Sequence, residues 1–205
     1  NRTTSINTAN VAIGYESLKG SSVPANNTGI ANSAVGYQSL MNNTTGSDNT
    51  AVGYAAIASN TSAFANTGVG SFSLNKNTTG GNNTAVGSGS LKENTTGASN
   101  TGMGENALSF NTTGSNNTAL GASALYSNKS NIGSTAVGHL SMYYADNRTT
   151  GRTTGNTAIG YESLKGSSTP ANNTGLYNTA VGYQTILSNT SGTQNSAFGY
   201  GALIN

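Results

Sequence analysis

The amino-acid sequence predicts an all-β fold, a parallel β-solenoid (β-roll) with 17-residue coils and some 22-residue coils. Three observations predict it. A glycine recurs at Gly14, Gly36, Gly53, Gly70, Gly87, Gly104, Gly121, Gly138, Gly160, Gly182 and Gly199, spaced by 22 residues, then by 17 six times, then by 22, 22 and 17. An apolar residue stands immediately before every one of them, among them Val52, Val69 and Val86. A second unbroken apolar column falls four residues after each glycine and includes Leu74, Leu91 and Leu108. Self-similarity at a fixed short period marks a repeat architecture, whose single unit cannot bury its apolar face alone.

The units read as short strands joined by turns. Each is too short for two packed helices and is punctuated by glycine and by N-T-T-G, which stop helices. Strands as short as T-A-V become stable when identical coils lie in register about 4.8 Å apart, so that like residues form ladders. The two apolar columns are five residues apart. On one straight strand they would face opposite sides, so the chain must turn between them. Gly53, Gly70, Gly87 and Gly104 are therefore read as corners, where φ > 0 and close backbone approach are needed. Val52, Val69, Val86, Leu74, Leu91 and Leu108 are the predicted structural core.

Two residues before each glycine only Ala or Gly occurs, so a small side chain is required there. Four residues before it stands Asn, with Ser134 as the exception. Asn tolerates turn conformations and can pair amide to amide along a stack. The opposite turn is N-T-T-G or a variant, as from Asn43 to Gly46 and from Asn77 to Gly80.

Composition agrees with ordered repetition and excludes other classes. The chain of 205 residues is 34% hydrophobic and 7% charged, with 2 prolines and a net charge of +2. It is too poor in apolar residues for an ordinary globule, yet lacks the charge and proline of a disordered chain. Its 28 glycines follow no G-X-Y period, and no apolar run approaches the ~20 residues of a membrane span. With no Cys it has no disulfide framework, and with no initiator Met at Asn1 it reads as a processed product or excised segment.

A second level of repetition lies above the coil. N-R-T-T at Asn1 recurs at Asn147, and G-Y-E-S-L-K-G-S-S at Gly14 recurs at Gly160, each displaced by 146 residues. The predicted organisation is one continuous solenoid over 1–205 of about eleven coils, with a super-repeat of 1–146 followed by a partial second copy, 147–205. The longer coils would present extra loops, and exposed loops on a rigid shaft are natural binding surfaces. Lys19, Lys165, Arg148 and Arg152 are the candidate loop contacts. Because each coil buries only about two large aliphatic side chains, at roughly 1.5–3 kcal/mol each, further burial between chains is expected.

The N-T-A-V-G-Y-x-S-L unit, present with small variations at Asn49, Asn156 and Asn178, resembles the repeats of trimeric autotransporter adhesin heads. It is also similar to phage tail-fibre shaft repeats. The resemblance covers nearly the whole chain. It implies a left-handed parallel β-roll, trimerised along its axis, that binds extracellular matrix, other cells or surface glycans, and it implies no catalytic residue. The expected function is a structural and adhesive extracellular fibre segment, the alternative a self-assembled filament with a mechanical role. The expected partners are further copies of the chain, as a trimer or end to end, and a host-surface or glycan ligand.

Signals for chemistry are sparse. His139 is the only histidine and occupies the column that holds Tyr15, Tyr37, Tyr54, Tyr161, Tyr183 and Tyr200 elsewhere. Glu16 and Glu162 are equivalent positions eight coils apart, roughly 38 Å, far beyond the ~5–9.5 Å of a glycosidase pair. G-M-G-E-N-A at Gly102 lacks the following helix of a dinucleotide site. The basic residues are scattered, which disfavours nucleic acid. No enzyme, cofactor or metal is expected. The tyrosine column is expected to stack into ladders. N-x-S/T acceptors at Asn43, Asn60, Asn77, Asn94, Asn111, Asn128 and Asn189 are glycosylation candidates, on the expectation that their turn is exposed.

Overall fold

The computed structural model describes residues 8–204. The N-R-T-T segment at Asn1 lies outside them. The described residues form an 11-stranded parallel sheet in strict sequence order. The strands are β1 (Val11–Ile13), β2 (Ser33–Val35), β3 (Thr50–Val52), β4 (Thr67–Val69), β5 (Thr84–Val86), β6 (Thr101–Met103), β7 (Thr118–Leu120), β8 (Thr135–Val137), β9 (Thr157–Ile159), β10 (Thr179–Val181) and β11 (Ser196–Phe198). Each strand pairs in register with the next, so Thr50 lies over Thr67, Ala51 over Gly68 and Val52 over Val69. The register also holds across 22-residue coils, where β8 pairs with β9 through Ala136 and Ala158. The chain is a parallel β-solenoid.

Pairing continues around the coil beyond the strands. Gly53 N donates to Val35 O at 2.8 Å in the preceding coil, while Leu40 N donates to Ala56 O at 3.0 Å in the following one. Each coil is thus bonded on both sides, which is what a unit with so little core requires. The corner is as read from the sequence. Gly53, Gly70, Gly87 and Gly104 have φ of +134°, +125°, +126° and +132°. A Cβ on Gly53 would sit 2.7 Å from Gly70 O of the next coil, so glycine is fixed there by conformation and by contact.

The core differs from expectation on the strand side. Val52 and Val86 face solvent at 38% exposure, and Val69 is half-buried. The residue pointing inward is the preceding Ala51, Ala85 or Gly68. A three-residue strand has one inward position, and alternation sends its neighbours the other way. Only a methyl group or less fits inward, because the cross-section is filled from the opposite wall: Leu40, Ile57, Leu74, Leu91 and Leu108 are fully buried. At Gly68 even a Cβ would fall 2.7 Å from Ile57 Cγ1.

That aliphatic column has an unusual backbone. Leu40, Ile57, Leu74, Leu91 and Leu108 have φ between 48° and 52°. The left-handed region costs a non-glycine residue about 1–2 kcal/mol, and burial of the side chain at roughly 1.5–3 kcal/mol offsets it. The rest of the interior holds small residues such as Ser73, Ser90 and Ala107 and columns of asparagine amides. Asn49, Asn66, Asn83 and Asn100 are fully buried, and each Nδ2 donates to the Oδ1 of the Asn one coil before, as from Asn66 to Asn49 at 3.2 Å.

Candidate functional site

The corner glycine separates two outward columns, the strand's last residue and the residue after the glycine. Ile13, Val52, Val86, Met103, Ile159 and Phe198 stand on the first with 38–69% of their surface exposed. On the second, Tyr15, Tyr37 and Tyr54 stack with ring centroids 5.4 and 5.1 Å apart and planes within 15°. His139, Tyr161, Tyr183 and Tyr200 form the equivalent ladder at 5.6, 5.1 and 5.1 Å. The stacking read from the column is present, and the rung spacing sets it, since offset-stacked rings favour centroids ~4.5–7 Å apart. Between the ladders the column holds Ser71, Ser88, Glu105 and Ala122. The outcome is a strip of exposed aliphatic and aromatic side chains running along the fibre, some 48 Å for ten steps of about 4.8 Å.

A third aromatic run was not read from the sequence. Tyr126 and Tyr143 stack at 4.9 Å, with Phe110 edge-on to Tyr126. These residues lie beyond the buried Leu column rather than beside the glycine. The 17-residue step from Tyr126 to Tyr143 was the available signal.

Comparison with protein-family models, curated proteins and solved structures finds no match.

The candidate loop residues are all engaged within the chain. Lys19 Nζ donates to Glu16 Oε1 at 2.6 Å, and Gln38 donates to Glu16 Oε2 at 2.9 Å. The same triad returns 146 residues later, with Lys165 on Glu162 at 2.5 Å and Gln184 on Glu162 at 2.7 Å. Lys165, and then Gln184, hold the Glu162 carboxyl below its ordinary value against the opposing effect of burial. Arg148 and Arg152 converge on Asp146, whose carboxylate is 2% exposed. Arg148 contacts both Asp146 oxygens, and Arg152 adds a bond to Thr174 O at 2.7 Å. These arginines tie down the inserted loop. Beyond Lys19 and Lys165, the loops carry short 3-10 turns, Pro24–Asn26 and Pro170–Asn172, which bury no residue.

The seven glycosylation candidates are not at an exposed turn. Asn43, Asn60, Asn77, Asn94, Asn111 and Asn128 are at most 4% exposed, and Asn189 is half-buried. Each Nδ2 donates to the carbonyl three residues on, as from Asn77 to Gly80 O at 2.8 Å and from Asn189 to Gly192 O at 3.0 Å. Asn60, Asn94, Asn111 and Asn128 also donate to the Asn one coil before, at 2.6–2.9 Å. The expectation fails because the turn closes by folding its amide inward, and a sugar would need that nitrogen free. Among the described residues no cluster of three or more His, Cys, Asp or Glu is placed to hold a metal, and no helix is long and apolar enough to cross a membrane.

Proposed function

We propose that this chain is a segment of a structural and adhesive extracellular fibre, without catalytic activity. The observation that carries the reading is the strip of exposed Val, Met, Ile and Tyr side chains beside the corner glycines. An exposed apolar strip that recurs along one edge, although Ser71, Ser88, Glu105 and Ala122 interrupt its second column, supports an interaction face. Its occupant in this reading is a second copy of the chain laid alongside, because both surfaces would then repeat at the same ~4.8 Å step and stay in register along the fibre. A parallel bundle of three accords with the resemblance to adhesin-head and tail-fibre repeats. The loops around Pro24–Asn26 and Pro170–Asn172 are left to meet a host surface or glycan.

The test is sedimentation and electron microscopy of the purified chain beside the variant Val52→Ser/Tyr54→Ser/Val86→Ser. These positions face solvent, so circular dichroism is expected to be unchanged. Wild-type chains should sediment as a discrete oligomer and image as short uniform rods, and the variant should dissociate. A monomeric wild type would overturn lateral association. Long uniform fibres growing by end-to-end addition would favour the mechanical filament.

A further inference from the structure

Two successive coils depart from the repeat at three places, and the three meet in space. In the other N-T-T-G turns the fourth position is Gly46, Ala63, Gly80, Gly97, Gly114 or Gly192, whereas here it is Asn131. The column four before the glycine changes from Asn to Ser134, and the turn Asn of the following coil is replaced by Ala145. In an ordinary coil the fourth position holds nothing larger than the methyl group of Ala63. A Cβ on Gly97 would lie 2.4 Å from Oδ1 of Asn94 in its own turn and 2.8 Å from Nδ2 of Asn111, the turn Asn of the next coil. Loss of the next turn Asn opens the space, and the Asn131 side chain enters it.

The entry satisfies only half of the amide. Asn131 is 1% exposed, and its Nδ2 donates to Asp146 O at 2.7 Å. Its Oδ1 is buried and accepts from no protein donor among the described residues. Asn131 lines a cavity with about 30 Å³ of space open to the centre of a water molecule, shared with Ser134, Asp146, Thr154, Asn156 and Asn178. A water needs ~10–15 Å³ by that measure and two to four polar partners. A buried acceptor left unmet carries the full cost of its desolvation, which favours a donor in the cavity.

We propose that this cavity is a binding site for one or two structural water molecules anchored by Asn131 Oδ1. A cation is disfavoured by the surroundings. Both Asp146 oxygens are taken by Arg148 and Arg152, so the cluster carries net positive charge and offers no free carboxylate. Water supplies the missing donor and can accept from a neighbouring hydroxyl or amide. The site would let the inserted loop leave the coil without stranding the end of the amide ladder.

A high-resolution crystal structure of the chain grown in rubidium chloride tests this. The expected result is water within ~2.7–3.2 Å of Asn131 Oδ1 and no anomalous rubidium signal there. Rubidium in the cavity, or a dry cavity with Oδ1 turned onto a protein donor, overturns the proposal. In solution, oxygen-17 relaxation dispersion should count one or two fewer long-lived waters in Asn131→Gly/Ala145→Asn, which restores the ordinary residues at these two turn positions. An unchanged count in a variant with native circular dichroism overturns it as well.

Discussion

Asn83 Nδ2 donates to Asn66 Oδ1 at 3.2 Å, one coil below, and to Gly97 O at 2.9 Å across the turn. Asn83 Oδ1 in turn accepts from Asn100 N and Asn100 Nδ2 at 3.0 and 3.1 Å. A single buried side chain therefore meets the hydrogen-bonding needs of three coils.

Replacing it by Ala strands several buried groups at about 1–3 kcal/mol each. Asn83→Ala should lower the unfolding midpoint strongly and strip hydrogen-exchange protection from the coils on either side. Val86→Ser, three residues away but outward, should change the stability of the single chain by less than ~0.5 kcal/mol. Equal effects of the two would refute the ladder as a principal support.

Leu74 is fully buried with φ of 48°. Leu74→Ala should cost about 2–5 kcal/mol through cavity formation. In most contexts Gly costs a further ~0.5–1 kcal/mol relative to Ala. Here Leu74→Gly should be no worse than Leu74→Ala, since glycine enters the left-handed region freely. Chemical denaturation of the pair decides it, and a clearly less stable Gly variant would count against the backbone described.

Glu162 is held below the ordinary carboxyl value of 4.5, first by Lys165 and then by Gln184, with burial opposing both. The folded chain then binds fewer protons than the unfolded one in the window just below 4.5. Its contribution to stability is full above that value and is lost as pH falls through the lowered pKa. Lys165 is raised above 10.5, chiefly by Glu162, so its share is present below 10.5 and lost as pH rises through the raised value. Carboxyl NMR should find Glu162 titrating below 4.5, and the acid loss of melting temperature should shrink in Glu162→Gln. A midpoint at or above 4.5 would refute the pairing.

Asp146→Ala should free the loop that Arg148 and Arg152 tie down. The stranded arginines are 40% and 28% exposed, so the loss belongs between surface and buried pairs, about 1–3 kcal/mol. Limited proteolysis should cut near Arg148 and Arg152 in the variant and spare the wild type. An uncut variant would show that the loop is held by other contacts.

The corner glycines were legible because a column with no exceptions leaves few backbone explanations, and φ near +130° at Gly53 is one of them. The buried leucines were legible in identity but not in conformation. Nothing in the letter Leu at position 74 announces a left-handed residue, and propensity alone would have placed Gly or Asn there. Asn77 and its equivalents showed a turn but not which way the amide points. An N-x-T triplet reads the same whether its nitrogen faces water or the carbonyl of Gly80.

The sequence by itself determined the repeat, its 17- and 22-residue steps, the corner and the in-register stack, because these follow from which residues recur and at what interval. The tertiary structure decided which side is inside. T-A-V is too short for alternation to reveal its buried face, and size alone favoured Val52 over Ala51. The opposite wall, with Leu40, Ile57 and the asparagine columns already filling a narrow interior, leaves room on the strand for one methyl group and turns the valines and tyrosines outward.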